Sequence, residues 1–483
     1  MTGTIVLFNL NLRLHDNVPL HTAAANGPVI PVYIYDNTIK TRWPLGGASK
    51  WWLHQSLNAL ANDLNAIGSK LIIREGNSYL VLKELIQQTG YKDIYFEHSI
   101  LPEASIPEDR LYKLCKRFGG EARRFRGQTL FHPSQIHTKD QTPYKVFTPF
   151  WNSCLKHEAI PTPLPIPHLQ APENWPDNIP LEDLKLLPTD FDWTNSLDKC
   201  WQAGETQARK ALDQFVSENI DQYDNDRDIP SLKHGTSKLS PHLHFGEISP
   251  ITVWHQVKNA IDLSPSKDRG GKVFLKELGW REFSYHLLYH FNDLDQAPLN
   301  KTFQHFPWVK DTGSLTAWQK GQTGYPIIDA GMRELWQTGW MHNRVRMIVA
   351  SFLVKNLRIH WLEGAKWFWD TLVDADLASN SASWQWVAGC GAEVAPYFRI
   401  FNPTLQSKKF DPDGEYIRRY VPELKKMPDK HIHEPWTANQ DILESAGIKL
   451  GKTYPRPIAD HKATREEALI AYQQLKSSKA LVS

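Results

Sequence analysis

Little in this chain of 483 residues points to covalent staples or bound metal. It has only four cysteines, Cys115, Cys154, Cys200 and Cys390, and no two form a CxxC pair or lie near a closely spaced histidine. A disulfide framework, a zinc site and a cysteine-ligated cluster all lack support, so no metal is expected. Isolated thiols suit a reducing compartment. No apolar run approaches the ~18 residues that a membrane span needs. The N-terminal Met-Thr-Gly-Thr-Ile-Val-Leu-Phe has no basic region and too short an apolar run for a signal peptide. The expectation is a soluble, cytoplasmic protein with no membrane partner. One-sided charge is also absent: the net charge is +2, which permits a local basic patch but does not by itself argue for nucleic acid. No GxGxxG follows the first strand signal, so a dinucleotide site of that kind has no support.

Tryptophan, in contrast, is abundant, at 19 residues against 20 Phe. The first 130 residues alternate strand and helix signals. Ile5–Phe8, Val29–Tyr35, Leu71–Arg74 and Ile94–Phe96 are short apolar runs that read as buried parallel strands. Between the second and third lies an amphipathic helix, with Ser49 as its cap, Leu53, Leu57, Leu60, Leu64 and Ile67 at three-four spacing, and Gly68 at its end. This predicts a doubly wound α/β domain over 1–130. Prolines from Pro161 to Pro188 mark 131–200 as a partly extended connector. From 201 to 483 the pattern is helical. Segments 272–291, 342–359 and 363–373 are apolar on nearly every face, as in a large all-α domain, and 455–483 read as a short polar end.

Four clusters could carry chemistry. In Gly235-Thr-Ser-Lys-Leu-Ser-Pro241, Ser240 can cap a helix whose first residue is Pro241, a setting suited to phosphate, although a plain capped helix is the favoured reading of this motif taken alone. Asp374-Ala-Asp376-Leu-Ala-Ser-Asn380-Ser-Ala-Ser-Trp384-Gln-Trp386 brings two carboxylates, an amide and two indoles between apolar helices. Buried carboxylates need partners, and Arg346 can supply one. Glu277 and Trp280 share a helix face. So do Asn343 and Met347, in Trp340-Met-His-Asn-Arg344-Val-Arg346-Met347. Each of the last two, taken alone, is compatible with ordinary packing.

Together these stretches resemble the photolyase/cryptochrome family over nearly the whole chain. The likeness also rests on Leu12-Arg-Leu-His-Asp-Asn17, Tyr144–Phe150, Gly324–Asp329, Gly339–Arg344 and Tyr397–Pro403. It is closest to class I-type cyclobutane pyrimidine dimer photolyases.

The resemblance implies an α/β domain and a helical domain holding FAD. Tyr223 and Thr236, Ser237, Lys238, Leu239 and Ser240 would hold its adenine and phosphate side. Asp374, Ala375 and Asp376 would bind the flavin and ribose region, with Arg346 paired to Asp374. Phe274 stands where family members often have Trp, and Asn380 would face flavin N5. Photolyases typically have Asn there, whereas many cryptochromes have Asp or Cys. Trp384, Trp361 and Trp308 match the family's electron-transfer chain. Glu277, Trp280, Asn343, Met347 and Trp386 would meet the lesion, and Arg227, Arg344 and Gln406 the DNA backbone. Lys408, Lys409, Arg418, Arg419, Lys425 and Lys426 could add grip on phosphates.

The implied reaction is light-driven repair of cyclobutane dimers in UV-damaged DNA. Excited reduced FAD donates an electron to a flipped-out dimer and recovers it after the ring opens. Glu277 would stabilise the dimer radical anion by hydrogen bonding. The (6-4) enzymes use two histidines at the places held here by Asn343 and Met347.

Leu7, Asn9 and Asn11 depart from the family's first-strand pattern, and Trp43 stands where folate-binding members can have His. The antenna, methenyltetrahydrofolate, 8-hydroxy-5-deazaflavin, another pigment or none, is left open. No protein partner is implied, and a monomer is expected. The rival readings are a blue-light photoreceptor of cryptochrome type and a FAD oxidoreductase acting on small molecules. Asn380, the retained Glu277 and Trp280, and the lack of a long C-terminal tail weigh against the first. The missing dinucleotide motif weighs against the second.

Overall fold

The computed structural model describes residues 3–101, 108–157, 159–188, 193–393 and 398–480. Two compact units emerge. One is Met1–Tyr144, Thr148–Asp221 and Ser237–His290; the other is Lys145–Phe147, Gln222–Thr236 and Phe291–Ser483. Residues 201–483 thus contribute to both units.

The first unit is built on a parallel sheet of β1 (Thr4–Phe8), β2 (Val29–Tyr35), β3 (Ile72–Glu75), β4 (Asp93–Glu97) and β5 (Ala122–Phe125), ordered β3-β2-β1-β4-β5. Ile5 pairs with both Ile30 and Ile94, so the central strand brings branched side chains to both neighbours. The runs are apolar because helices cover both faces, among them Ser78–Thr89, which buries Leu82 and Leu85. The four expected strands are present. The fifth was not foreseen: Ala-Arg-Arg-Phe has no apolar run, since it forms the sheet edge and exposes Arg123 and Arg124.

The helix expected from Ser49 begins earlier. It spans Gly47–Ala66 with Gly46 as N-cap, and Ser49 is buried in its first turn. Leu53, Leu57, Leu60 and Leu64 are buried as expected, and Gly68 has the left-handed φ of 77° that stops the helix. The proline-rich stretch runs along this unit. Gln170 and Ile73 carbonyls accept from Val29 and Ile179, so its extended backbone finds partners beside the sheet.

Helix Asp268–His290 also belongs to the first unit and packs tightly. A Cβ on Gly279 would lie 2.7 Å from the Trp151 ring.

The second unit is helical. Its helices include Pro326–Thr338, Asn343–Ser351 with a π turn at Phe352–Asn356, Trp361–Thr371 and Leu377–Ala388. The 455–483 stretch is not a short polar end, because helix His461–Ala480 occupies most of it. Ala468, Ala471 and Leu475 recur at three-four spacing and are buried, a small-residue face that an overall polar composition hides. Asn356 ties the π turn to this helix by donating to Thr464 Oγ1 at 2.9 Å.

Asp329, from the Gly324–Asp329 motif, is fully buried. It accepts from Thr323 N (2.6 Å), Thr323 Oγ1 (2.7 Å), Gly324 N (3.1 Å) and Tyr454 Oη (2.7 Å). Desolvation raises its pKa against these bonds. Tyr454→Phe should therefore destabilise the protein by about 1.5–3 kcal/mol, the usual worth of a hydrogen bond to a charged group. Urea denaturation reads this directly, and parent stability in the variant would show that the phenol does not anchor the motif.

Candidate FAD and DNA site

The second unit brings together most of the expected flavin residues. Arg346 is fixed from below by donation of its Nε to the Met341 carbonyl at 2.7 Å. Its Nη2 meets both oxygens of Asp374, at 3.1 and 2.8 Å. The carboxylate is deep, with 3% of its side chain exposed against 24% for Arg346. The pairing expected from sequence is therefore present. Ala375 is buried, and Asp376 caps helix Leu377–Ala388 by accepting from Ser379 N at 2.8 Å. The first turn of that helix presents Asn380, whose Nδ2 donates to the Ala365 carbonyl at 3.0 Å. This bond fixes the amide so that Oδ1 is the atom offered as an acceptor. An uncharged acceptor of this kind is chemically compatible with a flavin N–H.

One turn further on, Trp384 is buried and packs on helix Trp361–Thr371, where a Cβ on Gly364 would lie 2.1 Å from its ring. Trp361, at the start of that helix, is also buried. Trp308 is partly exposed. The His360 ring stands 5.0 Å from Trp308 and 5.7 Å from Trp361. Trp384 and Trp361 are thus core residues, whereas Trp308 reaches the surface. Trp318 was not singled out from sequence; it is fully buried, and its ring lies 6.3 Å from Trp384. Nothing in its sequence neighbourhood distinguished it from a core residue.

Helix Asn343–Ser351 carries Asn343, exposed, and Met347, half-buried, one turn apart. Arg344 lies beside them and pairs with Asp228, a residue that sequence reasoning passed over although Arg227 precedes it. His342 caps the helix by accepting from Arg344 N at 3.2 Å, and burial pushes its pKa down to about 4. Trp386 donates to the Glu393 carbonyl at 3.1 Å. Gln406 is half-buried on helix Pro403–Phe410. Tyr223 is buried, with the Arg227 guanidinium 5.4 Å from its ring, and Thr236 is half-buried.

Several basic residues expected to grip phosphate are engaged with protein groups. Lys408 bonds Glu434, Arg418 bonds Asp429, and Arg419 donates to the Ser231 carbonyl. Tyr397, at the head of the expected Tyr397–Pro403 motif, lies outside the described residues.

The first unit holds the other expected residues. Ser240 is not a cap: it is the first residue of the short helix Ser240–His244, and Leu239 takes the cap position with no side-chain bond. The backbone turns earlier, with Lys238 at a left-handed φ of 52°, which moves the helix start one residue back. Ser237 Oγ accepts from Leu239 N at 3.4 Å, and the Lys238 ammonium lies 5.9 Å over the Trp201 ring. Phe274 is buried against Phe215, with ring centroids 4.7 Å apart. Glu277 and Trp280 are both half-buried, one turn apart on helix Asp268–His290. Among the described residues, no group of three or more His, Cys, Asp or Glu is arranged to hold a metal. No helix among them is long and apolar enough to cross a membrane.

Residues 4–170 match the DNA photolyase family, and residues 274–474 match the FAD binding domain of DNA photolyase. The deoxyribodipyrimidine photo-lyase of Agrobacterium fabrum is 48% identical over 476 residues, 98% of each chain. This chain belongs to the photolyase/cryptochrome family. Within that family it is also 35% identical to cryptochrome-2 of Arabidopsis thaliana, over 99% of this chain and 80% of the cryptochrome. A bacterial class III photolyase from Agrobacterium tumefaciens superposes with a TM-score of 0.94 at 48% identity, covering 99% of this chain and 98% of the other. The expected class I likeness is therefore not confirmed. The FAD-binding domain, the parallel sheet and the helical majority expected from sequence are all present.

Proposed function

We propose that this photolyase-family chain is a deoxyribodipyrimidine photo-lyase that repairs cyclobutane pyrimidine dimers in UV-damaged DNA under blue light. When bound, reduced FAD would supply the light-excited electron donor for opening the cyclobutane ring. The Arg346–Asp374 pair, Asp376 and Asn380 would hold the flavin side, and Tyr223 and Thr236–Ser240 the adenine and phosphate side. The observation that carries the repair reading is Asn380, whose amide is anchored on Ala365 with Oδ1 left to accept. A neutral acceptor at that place adds no charge and sets the chain apart from cryptochromes with an acid or a thiol there.

Glu277 and Trp280 give one helix face a hydrogen-bonding group beside a stacking indole. The lesion reaches such a face only when extruded, as photolyases extrude their target bases, and a damaged pair stacks poorly. Two residues argue against the (6-4) lesion: Asn343 and Met347 carry no transferable proton. The neighbouring His342 is a buried cap, neutral at pH 7 by its pKa of about 4.

The direct test mixes prereduced protein with an oligonucleotide containing one thymine cyclobutane dimer, under blue light and in darkness. Dimer loss only in the light is the expected result. Persistence of the dimer in both arms, with FAD bound and reduced, would promote the photoreceptor reading that the cryptochrome relatives represent. An antenna, folate or deazaflavin, is part of the same proposal and would show as an absorption band beyond those of FAD in freshly purified protein.

A further inference from the structure

Arg344 is one of the residues assigned to the DNA backbone, yet its charge is already committed. Its Nη2 lies 2.8 Å from both oxygens of Asp228, and its Nε lies 3.3 Å from one of them. The guanidinium is further fixed by stacking over Phe410, at 4.5 Å from the ring centroid, and by a 3.7 Å contact of Nη1 with Met347 Sδ. Both charged groups reach solvent: 36% of the Asp228 side chain and 21% of the Arg344 side chain are exposed. Asp228 therefore places a carboxylate at the surface directly after Arg227, another residue assigned to the DNA backbone. Lys409 adds a third cation, with its ammonium 5.0 Å from the same Phe410 ring.

The pair is partly exposed rather than buried, so its contribution to stability is modest, and folding alone is a weak reason for this arrangement. Its effect on a polyanion is larger. A phosphate approaching Arg344 meets a neutralised fork rather than a free cation, and it must share or displace a bidentate carboxylate. We propose that Asp228 is a specificity-determining residue, which offsets the charge of Arg344 against any DNA backbone while holding its fork beside Asn343 and Met347 for the damaged strand. The proposal rests on the dimer-repair reading above.

Two consequences follow from the two roles. The charge offset acts equally on all DNA, because phosphates carry no sequence or lesion information. The positioning acts only where the lesion engages the helix bearing Asn343. Removing Asp228 therefore strengthens binding to undamaged duplex and strengthens lesion binding less.

The test measures equilibrium binding of the FAD-loaded protein to matched duplexes with and without one thymine dimer, across a salt series. For Asp228→Asn, the slope of log K against log[salt] on undamaged duplex should steepen by about 0.9, the value for one further neutralised phosphate. Between 1 M and 0.1 M salt that amounts to roughly eightfold extra tightening. The preference for the dimer duplex should fall. Asp228→Ala should give the same slope change if the amide perturbs folding, and the flavin spectrum checks that both variants are intact. In an Arg344→Gln background, Asp228→Asn should leave the slope where Arg344→Gln alone puts it. An unchanged slope in both variants, weaker binding to both duplexes, or equal tightening on both with the preference kept would each overturn the assignment. The dimer-repair reading is tested separately by the parent protein in the same titration. If the parent does not prefer the dimer duplex, that reading fails and takes this one with it; if it does, only the variants decide the role of Asp228.

Discussion

Trp384→Phe should reduce photoreduction of oxidised FAD to a small fraction of the parent rate, and it should leave dimer repair by chemically prereduced protein unchanged. The two activities draw on different parts of the chain. Photoreduction needs an oxidisable ring close to the flavin, and an indole gives up an electron more readily than a phenyl ring. Trp384 is buried and sits one helical turn after Asn380, the residue assigned to flavin N5. It leans on the backbone of the helix that begins with Trp361, and the His360 ring then bridges Trp361 and the partly exposed Trp308. Removing the innermost indole interrupts the route however the later steps run. Repair begins from an already reduced flavin and asks nothing of that route.

Phenylalanine is the right probe because it keeps an aromatic ring among Phe368, 5.0 Å away, and Trp318. Single-wavelength photoreduction and a repair assay on the same preparation separate the outcomes. Photoreduction at the parent rate would remove Trp384 from the chain of carriers. Loss of both activities with an altered flavin spectrum would mean that helix Leu377–Ala388 had shifted and taken Asn380 with it.

The parts of the structure that were readable in the sequence are those where one local rule acts alone. β1 to β4 are apolar because both faces of the sheet are covered, and Leu57, Leu60 and Leu64 follow a single helical stripe. β5 escaped because an edge strand with two exposed arginines has no such signature. Helix His461–Ala480 escaped because its buried face is carried by Ala468, Ala471 and a single Leu475, too weak an apolar stripe to stand out of a polar segment. The boundary errors at Ser49 and Ser240 share one cause: a hydroxyl that could cap a helix lies inside one, since Gly46 and Leu239 already supply the turn. At the site, a buried carboxylate demands a partner, which pointed to Arg346, and the family resemblance supplied Asp374 as the carboxylate it meets. Asp228 was not legible, because a partly exposed acid can be hydrated without a partner, and only the folded chain shows which cation it meets. Trp318 was invisible for the converse reason, as a buried indole looks the same in sequence whatever lies beside it.

Asp374→Asn should release FAD and lower the melting temperature together. Arg346 would keep its bond to the Met341 carbonyl but face a neutral amide where it had a bidentate carboxylate. Removing one partner from a buried pair leaves the other charge uncompensated, at a cost of about 3–5 kcal/mol when both are fully enclosed. Here the guanidinium keeps 24% exposure and some hydration, so a loss of about 2–3 kcal/mol is expected. Flavin retention should fall by about tenfold or more, the equivalent of 1.4 kcal/mol of lost affinity, because the segment that carries Asp374 also carries Asp376, the cap of the helix presenting Asn380. Gel filtration with absorbance at the flavin band measures retention, and a thermal melt measures stability. The double variant Asp374→Asn with Arg346→Gln separates the two effects, since residues in contact do not contribute additively. With no orphaned charge it should recover much of the melting temperature while still losing flavin. A single variant that holds FAD stoichiometrically at the parent melting temperature would place the Arg346–Asp374 pair outside the cofactor site.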